Sequence, residues 1–283
     1  MHSAPRSLYV ANCSLLFQEL PLLQRPAAAY NAGFDSIEYW WPFESASPSE
    51  RDVDAFVSAV DNSGAKLVGL NYFAGDLFGP DCGVVSLPER QAEFRDSVEI
   101  ATAIGSRLKV GAFNALYGNR VETSTPEAQD ELAIHSLGFA ADAAATIGAT
   151  VLIEAVSGPK PYPLRTAADA IAVVDRVRAS GHSNVAFLLD IFHLAANGDD
   201  ISAAIASHAS AVAHVQIADF PGRGEPGSGT LDFDRYLSEL TERGYTGAVA
   251  LEYKPSTGDT QASVANLNDF PSITVSVTKG FTQ

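Results

Sequence analysis

The sequence is short of cysteine, short of basic charge and free of long apolar runs, and each shortage narrows what it encodes. Two cysteines, Cys13 and Cys82, are too few and too far apart for a disulfide framework. Reduced thiols in the cytoplasm are the expectation. No stretch approaches the roughly 20 apolar residues of a membrane span. The amino-terminal MHSAPRSLYV lacks the apolar core and cleavage pattern of a secretory signal, so no membrane association is expected. Eighteen Lys and Arg against 34 Asp and Glu leave a net charge of −16. A duplex-binding protein offers a basic footprint to phosphate; none is present, and nucleic acid is excluded as a partner. The acidity bears on solubility rather than on fold. No Pro-, Gly- or Ser-rich linker divides the 283 residues, and α/β barrels run to this length as one domain. Association into a homo-oligomer is left open.

What the sequence has is alternation. Candidate strands are Leu8–Asn12, Ser36–Tyr39, Lys66–Tyr72, Arg107–Phe113, Thr150–Glu154, Val185–Asp190, Val212–Ile217 and Ala248–Glu252. Helical periods lie between them. Ser47-Pro48-Ser49-Glu50 has capping-box spacing ahead of Val53, Phe56, Val57 and Val60, with Gly64 as a stop. Thr125-Pro126-Glu127 opens a helix expected to turn Leu132, Phe139, Ala143 and Ile147 to a core. Thr166 to Asp169 repeats the capping logic before Ile171, Val174 and Val177, and Phe233, Tyr236, Leu237 and Leu240 mark another helix ended by Gly244. Strands alternating with helices imply a parallel sheet covered by helices. An open doubly wound sheet is the rival. The pattern described next favours a closed (β/α)8 TIM barrel over residues 1–270, with Ala262–Phe270 as a short last helix and 271–283 as a loose tail.

Four apolar runs in the second half each close on an oxygen-bearing side chain: ATVLIE on Glu154, VAFLLD on Asp190, VAHVQ on Gln216 and AVALE on Glu252. The intervals of 36, 26 and 36 residues each approximate one strand-loop-helix-loop unit. In a parallel barrel that period places all four on the rim where such enzymes carry their active sites. Crowded carboxylates repel unless a cation holds them. Two glutamates, an aspartate and a glutamine amide form a hard oxygen set suited to one Mg²⁺ or Mn²⁺. Two octahedral positions would remain for the adjacent oxygens of an α-hydroxycarbonyl. Removal of the neighbouring proton gives an enediolate, and Glu154 and Glu252, ending strands on opposite flanks, are assigned as base and acid for a 1,2-proton transfer.

Other residues fill out the site. His193, three residues past Asp190, is placed to hydrogen-bond a substrate oxygen. His214 shares the Gln216 strand face one layer deeper. PGRGEPGSG satisfies a G-x-G-x-x-G pattern, but Pro226 interrupts it and the helix begins only near Asp232, too late to cradle a pyrophosphate. It is expected to be a mobile rim loop whose Arg223 clamps a substrate carboxylate. Lys254 is a second anion-binding candidate. Some of Tyr39, Trp40, Trp41, Phe43, Tyr72 and Phe73 are expected to wall the pocket. Glu38, Tyr72 and Asn114 are further substrate-contact candidates, and Tyr117, Asn119 and Arg120 form a polar rim loop.

At these residues the chain resembles the hydroxypyruvate isomerase family, within the xylose isomerase-like superfamily of sugar isomerases and epimerases. The segments that carry the resemblance are ANCSLLFQELPLLQR, AGFDSIEYWWPF, FNALYGNR, LLDIFHL, HVQIADFPGRGEPGSG and GYTGAVALEYKP. The resemblance implies interconversion of hydroxypyruvate and tartronate semialdehyde (2-hydroxy-3-oxopropanoate) in glyoxylate metabolism, with Glu154, Asp190, Gln216 and Glu252 as metal ligands. Related epimerases place histidine where this chain has Gln216. They also carry a glutamate after the fifth strand, where this chain reads AVSGPKPYPL, with Ser157 and Lys160. The alternatives are a 2-oxo-tetronate isomerase or ketose 3-epimerase and, more remotely, an inosose-type dehydratase. A DNA phosphodiesterase would need a richer histidine set and a basic groove. A non-catalytic sugar-binding barrel would not need the flanking glutamates.

Overall fold

The computed structural model describes residues 7–158 and 161–265. Lys160, the tail at 271–283 and the expected domain boundary after residue 270 lie outside them. The strands are β1 Ser7–Asn12, β2 Phe34–Tyr39, β3 Lys66–Asn71, β4 Ala112–Asn114, β5 Thr150–Glu154, β6 Val185–Asp190, β7 Val212–Ile217 and β8 Val249–Leu251. They form one closed, all-parallel barrel in sequence order, with β8 pairing back onto β1. Around it run α1 Arg25–Asn31, α2 Glu50–Asp61, α3 Gln91–Leu108, α4 Pro126–Ala145, α5 Ala167–Ala179, α6 Ile191–Asn197, α7 Ile201–His208, α8 Phe233–Glu242 and α9 Thr260–Ala265.

Strand parity separates two interiors. Successive residues of a strand face opposite sides, so Val151, Ile153, Phe187, Leu189, Val215, Ile217 and Leu251 turn outward into the layer under the helices. Burying each such side chain contributes roughly 1.5–3 kcal/mol. The alternate residues Ala112, Leu152, Ala186 and Leu188 face the barrel axis as a small separate cluster. Two residues further along each of these strands stand Asn114, Glu154 and Asp190. On β7 the same alternation stacks Gln216 above His214. The register pairs Asp190 with Gln216, which sets the polar layer directly above the apolar plug.

The helices follow from their caps and faces, with some departures from expectation. Thr166 and Asp169 complete a reciprocal capping box, Thr125 caps α4, and Asp232 caps α8. The cap of α2 is Ser49, whose hydroxyl accepts from the Asp52 N–H at 3.2 Å, two residues later than the Ser47-Glu50 spacing predicts. The face of α8, with Phe233, Tyr236, Leu237 and Leu240, is buried. In α4 the buried face is Ala133, Leu137, Ala140, Ala141 and Ala144; Phe139, Ala143 and Ile147 lie at its edge and Leu132 is half-buried. Small residues let α4 approach the barrel closely, and the larger ones flank the contact. The largest correction is β4. Arg107 and Leu108 complete α3, Lys109 ends it in the left-handed region (φ 59°), and the strand starts only at Ala112. No described helix is long and apolar enough to cross a membrane.

Candidate active site

The ends of β5, β6, β7 and β8 bring the four oxygen-bearing side chains together, all of them buried. Ligand atoms of Glu154, Asp190 and His193 lie within 4.8 Å of one another. Gln216 Nε2 donates to Glu252 Oε1 at 3.2 Å, and the Glu252 carboxyl lies near enough to Asp190 for each to shift the other's pKa. Glu154 accepts from Asn114 Nδ2 at 2.6 Å. Glu252 Oε1 accepts from Asn12 Nδ2 at 3.0 Å and Trp40 Nε1 at 2.6 Å, and its Oε2 pairs with Arg223 Nη2.

The electrostatics follow from crowding in a dry place. Burial, then the charges of Glu252 and Asp190, push Glu154 well above the ordinary carboxylate range. Burial raises Asp190 against the pull of Arg223. Glu252 is raised to about 7 by burial, with Asp190 and Glu38 adding to the effect and Arg223 opposing it. Arg223 itself is held above its usual value: burial lowers it, but Glu252, Asp190 and Glu154 outweigh that. Beneath this layer Glu38 moves the other way. Burial alone would raise it, yet the charge and hydrogen bond of His214 and the donors Gln216 and Asn12 hold it below the ordinary value.

Do these residues fit a cation? Gln216 Oε1 and Asn114 Oδ1 are buried acceptors with no hydrogen-bond partner. An orphaned buried acceptor costs about 1–3 kcal/mol, and mutually repelling carboxylates add to that cost. A hard divalent ion would meet both needs, so the donor set fits. His193 is near enough to join it. Its Nδ1 lone pair, however, accepts the Ser157 backbone N–H at 3.0 Å, which leaves the neutral ring's proton on Nε2. Burial, then Arg223, lower its pKa to about 3 and keep it neutral. His193 is therefore arranged as a hydrogen-bond donor.

Glu154, Glu252, His193 and Arg223 face a cavity of about 480 Å³, walled by Trp40, Leu77, Phe78, Leu116 and Val156. Trp40 and Phe78 meet edge to face at 6.0 Å, and Phe78 is 76% exposed. The Arg223 guanidinium lies 5.2 Å from the Phe192 ring centroid and 5.9 Å from that of Trp40. Its Nε and Nη2 bind Glu252, which leaves Nη1 for a ligand. The loop that carries Arg223 is more tightly organised than its glycines suggest. Asp219 Oδ1 accepts the N–H groups of Phe220 (2.8 Å) and Leu231 (3.0 Å), and Oδ2 those of Gly227 and Gly229 (both 2.8 Å). Glu225 fastens the loop to Ser256.

Other candidates sit elsewhere. Tyr72 is buried in the outer core, stacked on Phe113 at 5.3 Å, and does not line the cavity. The Lys254 side chain is exposed, and its backbone N–H donates to the Arg223 carbonyl. Glu38 and Asn114 line a small void of about 10 Å³ beneath the cavity, with His214 and Gln216. Tyr117 and Arg120 bind Asp130, and Asn119 binds the Pro80 carbonyl, so that rim loop is tied to the scaffold. Trp41 packs against Phe43 and Phe73. Asn12, Asn71 and Asp219 went unrecognised as site residues. Asn12 and Asn71 end their strands on the inward parity and were legible by the same rule as Glu154.

A family described as xylose isomerase-like TIM barrel matches residues 26–270. A putative hydroxypyruvate isomerase of Streptomyces coelicolor is 49% identical over 249 residues, covering 86% of this chain and 89% of that protein. A 2-oxo-tetronate isomerase of Haemophilus influenzae is 31% identical over 250 residues, covering 87% and 93%. Among solved structures, one described as AP endonuclease, family 2, from Brucella melitensis superposes with a TM-score of 0.82 at 31% identity, covering 94% of this chain and 99% of that one.

Proposed function

The chain is an isomerase that belongs to the xylose isomerase-like TIM barrel family, and on that premise we propose that it interconverts hydroxypyruvate and tartronate semialdehyde by proton transfer between Glu154 and Glu252. The observation that carries this reading is a single guanidinium, Arg223, turned into a cavity floored by those two glutamates. Arg223 is the one Lys or Arg lining that cavity among the described residues. Its free Nη1 offers a charge-assisted hydrogen bond to a carboxylate, a group that a neutral ketose lacks.

Glu154, Asp190, Gln216 and Glu252 would hold one Mg²⁺ or Mn²⁺, which when bound would polarise the substrate carbonyl and stabilise an enediolate. The remaining work falls to the chain. Glu154 and Glu252 stand as base and acid, one taking a proton from the hydroxymethyl carbon and the other delivering one to the former carbonyl carbon. His193 Nε2–H donates to a substrate oxygen, its tautomer set by Ser157. Trp40, Leu77 and Phe78 exclude water from a species that would otherwise be quenched.

A four-carbon 2-oxo-tetronate is the second reading, favoured by one observation: about 480 Å³ exceeds what a three-carbon acid fills. Cleavage of DNA finds no support, since the described residues hold one candidate metal cluster of this kind and the chain carries −16. Turnover of hydroxypyruvate, 2-oxo-tetronates and ketoses in parallel decides among them. Preference for a neutral ketose over both acids would overturn the assignment.

A further inference from the structure

We propose that Glu38 is a positioning residue that turns the carboxamide oxygen of Gln216 toward the cation. The inference rests on reading the rim as a cation site. A glutamine amide has a donor end and an acceptor end of nearly equal shape, so it serves as a ligand only if something decides which end faces the metal. Here Gln216 Nε2 donates to Glu38 Oε1 at 2.8 Å and Glu252 Oε1 at 3.2 Å. Turning the amide over would set its oxygen against two carboxylate oxygens with no proton between them. The observed orientation is therefore fixed, and it leaves Gln216 Oε1 buried without a hydrogen-bond partner.

Glu38 is itself held from several sides. Asn12 Nδ2 donates to Oε1 at 2.9 Å, and His214 Nε2 lies 2.6 Å from Oε2. Its register partner is Gly69, where a methyl group would stand 3.3 Å from Glu38 Cβ and Oε2, so the absent side chain makes room for the carboxylate. Four strands thus locate one acceptor that does not line the large cavity. That placement suits a residue acting through Gln216 and not on substrate. Partners of this kind behind a metal ligand are worth about 10–100-fold in metal affinity.

The test is Mn²⁺ binding to the full chain, followed by electron paramagnetic resonance or calorimetry without substrate. Glu38→Gln replaces the acceptor with an amide that pairs equally well with either end of Gln216. Mn²⁺ affinity is expected to fall about 10–100-fold while circular dichroism stays native. Gln216→Met supplies the cycle: if Glu38 acts through Gln216, Glu38→Gln costs nothing further in that background. Should Glu38→Gln fail to fold, Gly69→Ala presses on the carboxylate without neutralising it and is expected to weaken binding in the same direction. Unchanged affinity in the folded Glu38→Gln variant, or an undiminished loss in the Gln216→Met background, overturns this inference alone. Absence of Mn²⁺ binding by the unaltered chain overturns the cation-site reading and this inference with it.

Discussion

Asp219→Asn offers a sharp test of how the Arg223 loop is built. The substitution keeps the side chain's shape but turns one acceptor oxygen into an NH₂ group. Asp219 receives two N–H groups on each oxygen: Phe220 and Leu231 on one, Gly227 and Gly229 on the other. Whichever way the amide turns, two backbone donors then face a donor. Hydrogen bonds to a charged acceptor contribute about 1.5–3 kcal/mol each, so two would total about 3–6 kcal/mol if no water replaced them. Gly227 and Gly229 are exposed and rehydrate readily, which brings the expected loss to about 2–3 kcal/mol. Because the loop is an appendage to the barrel, the loss falls on local opening. That corresponds to a roughly 30- to 150-fold larger population of the open loop. Hydrogen exchange at the Gly227, Gly229 and Leu231 amides reads this directly, and kcat/KM should fall as Arg223 loses its seat. Exchange at those amides matching the unaltered chain would refute the reasoning. So would acceleration spread evenly over the barrel strands.

Glu154→Gln and Glu252→Gln should each lower kcat by about 10²–10⁴-fold with native circular dichroism; turnover near the unaltered rate in either variant rejects the two-base assignment. Removal of divalent ions with a chelator should abolish turnover, and Mg²⁺ or Mn²⁺ should restore it, measured as rate against added metal. Burial raises both Cys13 and Cys82 to about 12, so the thiolate is scarce at pH 8. An aromatic disulfide reagent should therefore label Cys13, which is buried in the outer core, only after denaturant is added, and prompt labelling of Cys13 in the native chain would contradict that burial.

The barrel and the cluster at its rim were legible because both rest on simple periods. A strand's two-residue alternation and the spacing of strand-helix units place Glu154, Asp190, Gln216 and Glu252 on one rim without any knowledge of their neighbours. What escaped the sequence depends on three-dimensional partners. Asp219 reads as an ordinary acidic residue after a strand, and nothing local announces that four N–H groups will fold back onto it. The same blindness made the glycines around it suggest mobility. The β4 strand was misplaced because Arg107, Leu108 and Val110 suit a strand as well as a helix end, and only the packing of α3 decides. The face of α4 was misjudged because its buried stripe is mostly alanine, which gives little hydrophobic contrast. Glu38 could be flagged as polar and interior, but its role depends on which end of Gln216 it meets.

The central claim, that two glutamates move a proton between adjacent carbons of a hydroxy-oxo acid, is tested most directly by turnover of hydroxypyruvate in D₂O with the metal-loaded enzyme, followed by proton and deuterium NMR. Transfer through ionisable carboxylates predicts tartronate semialdehyde carrying solvent deuterium on its hydroxyl-bearing carbon. Isomerised product without any deuterium would mean that the abstracted hydrogen itself is returned to the product, by a direct shift or through one shielded base, and would contradict delivery by a second glutamate.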